Sequence, residues 1–314
     1  QEVRMRFRDR NSLLQSMKSC GKRRNLREAK RIHNQAKEYI KNDLHLGTGL
    51  VSMFAKCGAI DEAQNIFEEL RDRDAISWNA LMGGFILSGH GESALRCFWQ
   101  MQDEGVCPNA VTYIYSLKAC AILQSLEVGE HIDAEVRKQD LLQKDIVLGT
   151  TLVDMYSKCG AMEKALEVFG QLPKRNVVCW NAMISGFVHN GLGHEALKCF
   201  GKMKRARVCP DVITYICTLK ACAIVGSLEI GEDIDAEVRN LGLLEKDVVL
   251  GTALINMYSM CGALQKALEV FQQLPVWDVA VNKSLGDEAS QNLWILELSL
   301  EIEIRNEYSW KCNL

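Results

Sequence analysis

The feature that most constrains this chain is a long internal repeat. Residues 177–211 match residues 75–109 position for position, so that Trp78 corresponds to Trp180, 102 residues further on. The same step recurs outside this stretch, at Cys57, Cys159 and Cys261. A fixed period over most of a chain is typical of stacked repeats and argues against independent globular cores.

Each period divides into three units of 31, 35 and 36 residues. The predicted units are 10–43, 44–74, 75–109, 110–145, 146–176, 177–211, 212–247 and 248–278. Residues 1–9 form an Arg-rich lead-in, and residues 279–314 form a divergent tail in which the register is lost.

Each unit has the pattern of two amphipathic helices joined by a turn. Apolar residues recur at spacings of 3 and 4, which is the α-helical period, along the second helices. They are Ala196, Phe200 and Met203 in one unit, and Met162, Ala165, Phe169 and Leu172 in another. Between the helices lie Cys-Gly or Asn-Gly pairs, where glycine ends a helix in the left-handed conformation. A hairpin of this size cannot bury its apolar face alone, so neighbours must stack. The sequence therefore predicts an all-α fold, a right-handed α-solenoid over residues 10–278.

Composition narrows the function classes. The 314 residues carry a net charge of −3, and no apolar run approaches the length of a membrane span, so no membrane partner is expected. The 13 cysteines follow the repeat and include no C-x-x-C pair, which favours buried thiols in a reducing compartment over zinc ligands. Residues 1–43 are basic, which fits a polyanion contact and a solvated surface about equally well.

The repeated motifs WNAMISGF, CPDVITY, MYSKCG and EALKCF, in this cycle of unit lengths, resemble the pentatricopeptide repeat family. They are most similar to its land-plant subclass, in which standard, long and short repeats alternate. Tetratricopeptide arrays differ, because they have a uniform 34-residue period and a Trp/Leu-Gly pattern. The resemblance covers about residues 10–278 and implies sequence-specific binding of single-stranded RNA, with one base read per repeat.

In this family, base choice rests on a polar residue early in the first helix and on the last residue of the repeat. The resemblance places these pairs at Thr48 with Asp74, Asn79 with Asn109, Thr150 with Asn176, Asn181 with Asp211, and Thr252 with Asp278. The residues implied to stack against bases are Ile76, Val147, Val178 and Val249, whereas His45 departs from this apolar habit. The long units carry Leu14, Ile114 and Ile216 at the early position. Because an aliphatic side chain cannot hydrogen-bond a base edge, these units are expected to space rather than to read.

The chemistry of the implied pairs suits base recognition. Thr offers a hydroxyl, Asn a donor and an acceptor, and ionised Asp acceptors only. The family's pairing rules imply G for Thr with Asp, A for Thr with Asn, U for Asn with Asp, and a pyrimidine for Asn with Asn. Read from unit 44–74 along RNA in the 5′ to 3′ direction, the expected core is G, pyrimidine, any, A, U, any, G.

A simpler explanation of the same residues stays open. Every unit ends in Asp or Asn, and these residues are favoured just before helices, where they accept hydrogen bonds from free N–H groups. Asn79 and Asn181 can likewise be satisfied interior amides. The two roles are compatible, since a residue at the mouth of a groove can fill both.

No catalytic motif is visible. Some family members end in a deaminase-like domain, which needs His-x-Glu and Pro-Cys-x-x-Cys to hold zinc and move a proton. Neither pattern occurs in this sequence, and neither a nucleophile–base constellation nor a phosphate-binding glycine loop appears. The chain is therefore expected to be no enzyme, to lack a C-terminal catalytic domain and to bind neither metal nor cofactor.

Two functions remain at this point. The first is an RNA-binding specificity factor for organellar RNA processing or C-to-U editing, monomeric and joined by a protein that supplies catalysis. Its place would be the mitochondrion or chloroplast by family resemblance; because the sequence begins with Gln1, no presequence can be judged from it. The second is a protein–protein scaffold that binds its partners on the concave face of the predicted solenoid, the face that would otherwise bind RNA. The polar variation at the early positions favours the first, and the net acidity of the array favours the second.

Overall fold

A computed structural model describes residues 7–244 and 247–274. In these ranges it contains sixteen α-helices, one short 3-10 helix and no strand, which confirms the predicted all-α class. The α-helices are α1 (Phe7–Arg23), α2 (Leu26–Ala36), α3 (Leu44–Lys56), α4 (Ile60–Glu68), α5 (Ala75–Leu87), α6 (Gly91–Asp103), α7 (Ala110–Leu123), α8 (Leu126–Lys138), α9 (Ile146–Lys158), α10 (Met162–Gln171), α11 (Val177–His189), α12 (Gly193–Arg205), α13 (Val212–Val225), α14 (Leu228–Asn240), α15 (Val248–Met260) and α16 (Leu264–Gln273). The 3-10 helix is Ile40–Asn42. The predicted tail 279–314 lies outside the described residues.

The helices fall into two compact units, one ending at Lys174 and the other beginning at Arg175. In the first unit, the first helices of five hairpins pack one on the next, in the order α1, α3, α5, α7 and α9. In the second unit, α11, α13 and α15 pack in the same way. Within each unit, a second helix packs against its own first helix and, where a further hairpin follows, against that hairpin's first helix. Each unit is therefore a two-layered stack of hairpins, as the repeat predicts for an α-solenoid.

The helix boundaries follow from local chemistry that the sequence displays. Every first helix from α3 onward begins directly after an Asp or Asn whose side chain accepts a backbone N–H of the first turn. These caps are Asp43, Asp74, Asn109, Asp145, Asn176, Asp211 and Asp247. The expected glycine turns are also present, since Gly58, Gly160 and Gly262 have φ values of 77°, 76° and 77°.

Apolar packing joins each hairpin to the next. Trp78 of α5 is 2% exposed, and its ring meets the ring of Phe67 on α4 edge-on, with centroids 4.6 Å apart. Burying a side chain of this kind stabilises the fold by about 2–3 kcal/mol. Gly84 lets α5 approach α3 closely, because a Cβ atom there would lie 2.7 Å from the Ala55 Cβ. The interface between hairpins therefore depends on bulk at one position and on its absence at another.

The predicted apolar stripes are right in one unit and wrong in part in the other. Ala196, Phe200 and Met203 are all buried on α12. On α10, Ala165 is buried and Leu172 just beyond the helix is buried too, but Met162 and Phe169 are only half-buried. Val168 takes the core position instead, since a residue three positions after Ala165 lies on the same helical face as one four positions after it.

The amino end also differs from the prediction. Helix α1 begins at Phe7, inside the segment 1–9 that was predicted to be a lead-in before the first hairpin. Ion pairs connect successive second helices, such as Lys204 with Glu237 at 2.7 Å between α12 and α14. In the part of the chain that the structure describes, no helix has the length and apolarity needed to span a membrane.

Candidate nucleic-acid interface

The first helices of the first unit line a groove of about 510 Å³, to which α1, α3, α5 and α7 all contribute. Four predicted site residues meet there, namely Thr48, Asp74, Ile76 and Asn79. Further lining residues include the basic side chains of Lys18 and Lys56 and the aromatic ring of Tyr115. The structure therefore brings the predicted residues of two successive hairpins, 44–74 and 75–109, into one concavity.

A series of aliphatic side chains lies exposed at the start of the first helices. Each lies two residues after the capping residue, and its apolar side chain is not buried within its own hairpin. The four predicted stacking residues are all exposed: Ile76 (62%), Val147 (56%), Val178 (56%) and Val249 (47%). Sequence reasoning missed Val111 (45%) and Ile213 (58%), which stand at the same place in two long units. Their distance of two residues from Asn109 and Asp211 was the available signal.

The capping residues that end the units fall into two groups by backbone geometry. Four ends have ψ values of 174°, 180°, 177° and −178° and accept from one backbone N–H only; we call them the reading ends, and they are Asp74, Asn109, Asn176 and Asp211. Three ends have ψ values of 94°, 102° and 101° and accept from two N–H groups; we call them the spacing ends, and they are Asp43, Asp145 and Asp247. The spacing ends close the units that carry Leu14, Ile114 and Ile216 at the early position. The geometric division therefore coincides with the predicted division between reading and spacing units.

In two hairpins the predicted pair of polar residues is in direct contact. The Asn79 Nδ2 donates to the Asn109 Oδ1 at 3.1 Å, and the Asn181 Nδ2 donates to the Asp211 Oδ1 at 2.9 Å. Asn79 and Asn181 are each 7% exposed, so the early residue of each pair is buried. The alternative of capping residues is thus correct, and the interior amide is satisfied at Asn181, whose Oδ1 accepts from the Thr214 hydroxyl, but the Asn79 Oδ1 is buried with no partner among the described residues.

These contacts use only one atom of the terminal side chain. The Asn109 Oδ1 also accepts from the Thr112 backbone N–H at 3.1 Å, which fixes the orientation of the amide because that N–H needs an oxygen. The Asn109 Nδ2 and the Asp211 Oδ2 have no hydrogen-bond partner among the described residues. One end therefore presents a free donor, and the other presents a free acceptor.

The acceptor at Asp211 is held in its ionised form. Burial raises the pKa of this carboxyl, but hydrogen bonds from the Thr214 N–H, the Asn181 amide and the Thr214 hydroxyl outweigh it and hold the pKa below its usual value. The Thr214 hydroxyl lies 2.6 Å from the Asn181 Oδ1 and 2.9 Å from the Asp211 Oδ1, so it bridges the pair. At neutral pH the free Oδ2 can accept but cannot donate.

The Thr positions are less uniform. The Thr48 hydroxyl is buried and has no hydrogen-bond partner in the part of the chain that the structure describes, although Thr48 lines the same groove as Asp74. The hydroxyls of Thr150 and Thr252 donate to backbone carbonyls four residues earlier, at 2.7 Å and 3.0 Å. Thr150 lies in the first unit and its predicted partner Asn176 in the second. Asp278, the predicted partner of Thr252, lies outside the described residues.

Arg10 explains why the first spacing end differs further from the reading ends. Its guanidinium holds both carboxylate oxygens of Asp43, with Nη2 3.1 Å from Oδ1 and Nε 2.5 Å from Oδ2. Burial raises the pKa of Asp43, but the hydrogen bond from Arg10 and two backbone N–H groups bring it below its usual value. Both oxygens of this carboxylate are therefore engaged by Arg10, unlike those of the reading ends, and sequence reasoning missed this pair.

The described residues contain no group of three or more His, Cys, Asp or Glu side chains placed to hold a metal ion. The twelve cysteines in this part of the chain form no disulfide with one another. Burial raises the pKa of Cys97, Cys120, Cys199 and Cys222 to about 12, which keeps these thiols protonated.

Comparison with known proteins agrees with this geometry. The profile of the PPR repeat family matches residues 73–122 and 175–224, and the profile of the PPR repeat matches residues 48–74, 150–177 and 252–279. Together these matches cover more than half of the chain. The chain is 36% identical to the chloroplastic pentatricopeptide repeat-containing protein CRR2 of Arabidopsis thaliana, over 85% of this chain and 41% of CRR2. A mitochondrial pentatricopeptide repeat-containing protein of the same plant is 33% identical, over 83% of this chain and 25% of the relative.

Two solved structures share the fold. The pentatricopeptide repeat protein PPR10 from maize matches with a TM-score of 0.66 at 20% identity, over 88% of this chain and 40% of that one. PPR10 in complex with an 18-nucleotide psaJ RNA element matches with a TM-score of 0.63 at 23% identity, over 78% and 37%. The chain spans less than half of the length of each of these proteins. From its repeats, its hairpin stack and its relatives, the chain belongs to the pentatricopeptide repeat family.

Proposed function

We propose that this chain binds single-stranded RNA and reads its base sequence with the reading ends. The observation that carries the proposal is the half-committed terminal side chain. Its Oδ1 is fixed by the cap and, in two hairpins, by the early Asn, whereas its second polar atom has no partner among the described residues. Fixing one atom orients the other, which lowers the entropic cost of binding a base.

The identity of the free atom supplies the discrimination. A terminal Asn offers an N–H donor, and a terminal Asp offers an anionic acceptor. Bases differ in the donors and acceptors on their exposed edges, and unstacked bases in single-stranded RNA present those edges to side chains. The family's pairing rules then assign G to Thr48 with Asp74, a pyrimidine to Asn79 with Asn109, and U to Asn181 with Asp211. Thr150 with Asn176 is assigned A, and Thr252 with Asp278 is assigned G.

The exposed aliphatic residues would cover the faces of the bases. Ile76 and Val111 line the same groove as Asn79, so a base whose edge meets Asn79 has apolar surface within reach on both hairpins. Burial of these side chains by RNA would remove apolar surface from water at about 25 cal/mol per Å². Val147, Val178 and Val249 have the corresponding role in their own units.

The backbone of the RNA would be met by charge. Lys18 and Lys56 line the groove in the first unit, and a lysine neutralises phosphate as a compact point charge. The net charge of the chain is −3, so affinity would come from local charge and base contacts and not from a basic surface as a whole.

The wider role follows the relatives. We infer a specificity factor of the subclass with alternating standard, long and short repeats, acting on organellar RNA in processing or C-to-U editing. The chain would supply the address, as a monomer without catalysis of its own, and another protein would supply the reaction. CRR2 is chloroplastic and the second relative is mitochondrial, so the likeness supports an organelle without selecting one.

A binding selection tests the proposal. The purified protein would be incubated with a randomised single-stranded RNA pool and, as a control, with single-stranded DNA of matched composition. Recovered RNAs should share a core of G, pyrimidine, any, A, U, any, G. RNA binding without sequence preference would favour the scaffold function instead. The same conclusion would follow if the protein bound no RNA but bound a specific protein.

A further inference from the structure

Tyr115 lies in the groove although its unit is expected only to space. It belongs to the long unit 110–145 and directly follows Ile114, the aliphatic residue at the early position. Its side chain lines the groove together with Asp74, Ile76 and Asn79. A long unit therefore places an aromatic, polar-tipped side chain among residues that hold a nucleotide under the proposed function.

The position of the ring is set by a glycine on the preceding hairpin. A Cβ atom on Gly83 would lie 3.0 Å from both the Cζ and the Oη of Tyr115, so the phenol end of the ring rests against α5 at this residue. Gly83 follows Asn79 by four residues, and residues four apart lie on the same face of a helix. The phenol hydroxyl is therefore held about one helical turn from the buried Asn79.

The hydroxyl of Tyr115 makes no hydrogen bond within the described residues. Tyr113, two residues earlier on the same helix, differs, since its hydroxyl accepts from the Gln139 Nε2 at 2.6 Å and its side chain is 2% exposed. A phenol hydroxyl both donates and accepts. Only one of the two hydroxyls is thus available to a ligand.

The second copy of the repeat lacks this arrangement. At the positions 102 residues further on, Gly83 is replaced by Ser185 and Tyr115 by Cys217. The Ser185 side chain hydrogen-bonds the Cys217 thiol, so two small polar groups meet where the glycine and the phenol meet in the first copy. The chain therefore contains its own comparison, with a ring at one site and none at the other.

We propose that the Tyr115 hydroxyl binds the ribose 2′-hydroxyl of the nucleotide held by Asn79 and Asn109; this rests on the proposed function. The Asn pair faces the base edge, Ile76 and Val111 face the base, and the groove lysines suit the phosphates, which leaves the sugar without a partner. A 2′-hydroxyl donates and accepts as a phenol does, and it is the group that distinguishes RNA from DNA at a given site. The long unit thus contributes sugar recognition to its neighbour without reading a base.

A double-mutant cycle between protein and RNA tests the proposal. Wild type and Tyr115→Phe would be titrated with the selected RNA and with a set of RNAs that each carry one 2′-deoxynucleotide. We expect Tyr115→Phe to weaken binding of the full RNA about fivefold, as for one lost neutral hydrogen bond. A 2′-deoxynucleotide at the position held by Asn79 and Asn109 should lower the affinity of wild type about fivefold and leave the affinity of Tyr115→Phe unchanged. Tyr113→Phe, the matched control, should keep the wild-type deoxy pattern.

The outcomes separate the two levels of the proposal. If wild type shows no sequence preference among RNAs, the proposed function fails and the sugar contact fails with it. If wild type selects its RNA but Tyr115→Phe binds that RNA equally well, only the sugar contact is overturned. The same holds if Tyr115→Phe loses as much affinity as wild type at every deoxynucleotide.

A graft supplies the reciprocal test. Ser185→Gly combined with Cys217→Tyr should create a new deoxy penalty of about fivefold at the nucleotide held by Asn181 and Asp211. Circular dichroism would show whether this variant keeps its helices. A folded graft with no new penalty would contradict the assignment of the hydroxyl to the sugar.

Discussion

The reading ends and the spacing ends use similar residues for the same task and yet differ in geometry. Both kinds cap a helix, but Asp211 is extended with ψ near 180°, whereas Asp247 has ψ near 100° and takes two backbone N–H groups. The third residue of the following helix differs as well: it is Thr214 after Asp211 and Leu250 after Asp247. The Thr214 hydroxyl accepts the backbone N–H of Asp211 at 3.1 Å in a capping box, which Leu250 cannot do. A cap becomes part of a binding site through the residues around it, and the Asp alone does not decide this.

The largest expected effect is on stability, from removal of one cap of each kind. Asp211→Ala should lower the free energy of unfolding by about 2–3 kcal/mol, because the cap is lost and the buried Asn181 amide is left without its partner. Asp247→Ala should cost only about 1 kcal/mol, the usual value of a cap. Urea unfolding followed by circular dichroism measures both, and equal costs would remove the energetic distinction between the two kinds of end.

A smaller effect distinguishes two reading ends from each other. The Thr214 hydroxyl lies 2.6 Å from the Asn181 Oδ1, whereas the corresponding Asn79 Oδ1 is buried without a partner among the residues that the structure describes. Thr214→Val should therefore destabilise the protein by about 1 kcal/mol more than Thr112→Val, since both lose the capping box but only the first loses the bridge. The same urea titration checks this, and a larger cost for Thr112→Val would contradict the described network.

The smallest expected effect is a pH dependence. Because hydrogen bonds lower the folded-state pKa of Asp211, its contribution to stability is full above the unfolded pKa of about 3.9 and is lost as pH falls through the folded value. Asp211→Asn removes this contribution, so wild type should lose more stability than the variant on acidification from pH 5 to pH 2. Thermal unfolding across this range measures the slopes. Parallel slopes would show that the carboxylate is not held in its ionised form.

Much of the fold was predictable because its signals are local and repeated. The 102-residue step fixed the hairpins, and Asp or Asn at each unit end marked where the next first helix begins. The residues predicted to stack against bases, such as Val178, are exposed, as that role requires, and the stacking itself stays a prediction. Each of these depends on sequence neighbours, which one chain displays directly.

The parts that were missed depend on contacts between distant residues. The ion pair of Arg10 with Asp43 spans 33 residues, and the contact between the Tyr115 ring and Gly83 joins two hairpins. The choice between Val168 and Phe169 as the core residue of α10 depends on helix rotation, which a period of 3.6 leaves open within one position. The two backbone geometries of the ends were not predicted either, although they coincide with the predicted division into reading and spacing units.

The base-reading role of the reading ends is tested most directly by exchanging donor and acceptor at two of them. Asp74→Asn replaces a free carboxylate oxygen with an amide donor, and Asn176→Asp makes the reverse change; both substitutions are nearly isosteric and keep a capping residue. Affinity would be measured for RNAs varied only at the first or the fourth base of the core. Asp145→Asn, at a spacing end, is the matched control.

Asp74→Asn should move preference at the first base from G towards A, and Asn176→Asp should move it at the fourth base from A towards G. Each shift should be roughly tenfold or more in relative affinity, since a specific base contact is worth about 1–3 kcal/mol. Asp145→Asn should leave every preference unchanged. If both reading-end variants instead weaken equally on all RNAs, these side chains only cap helices and do not read bases.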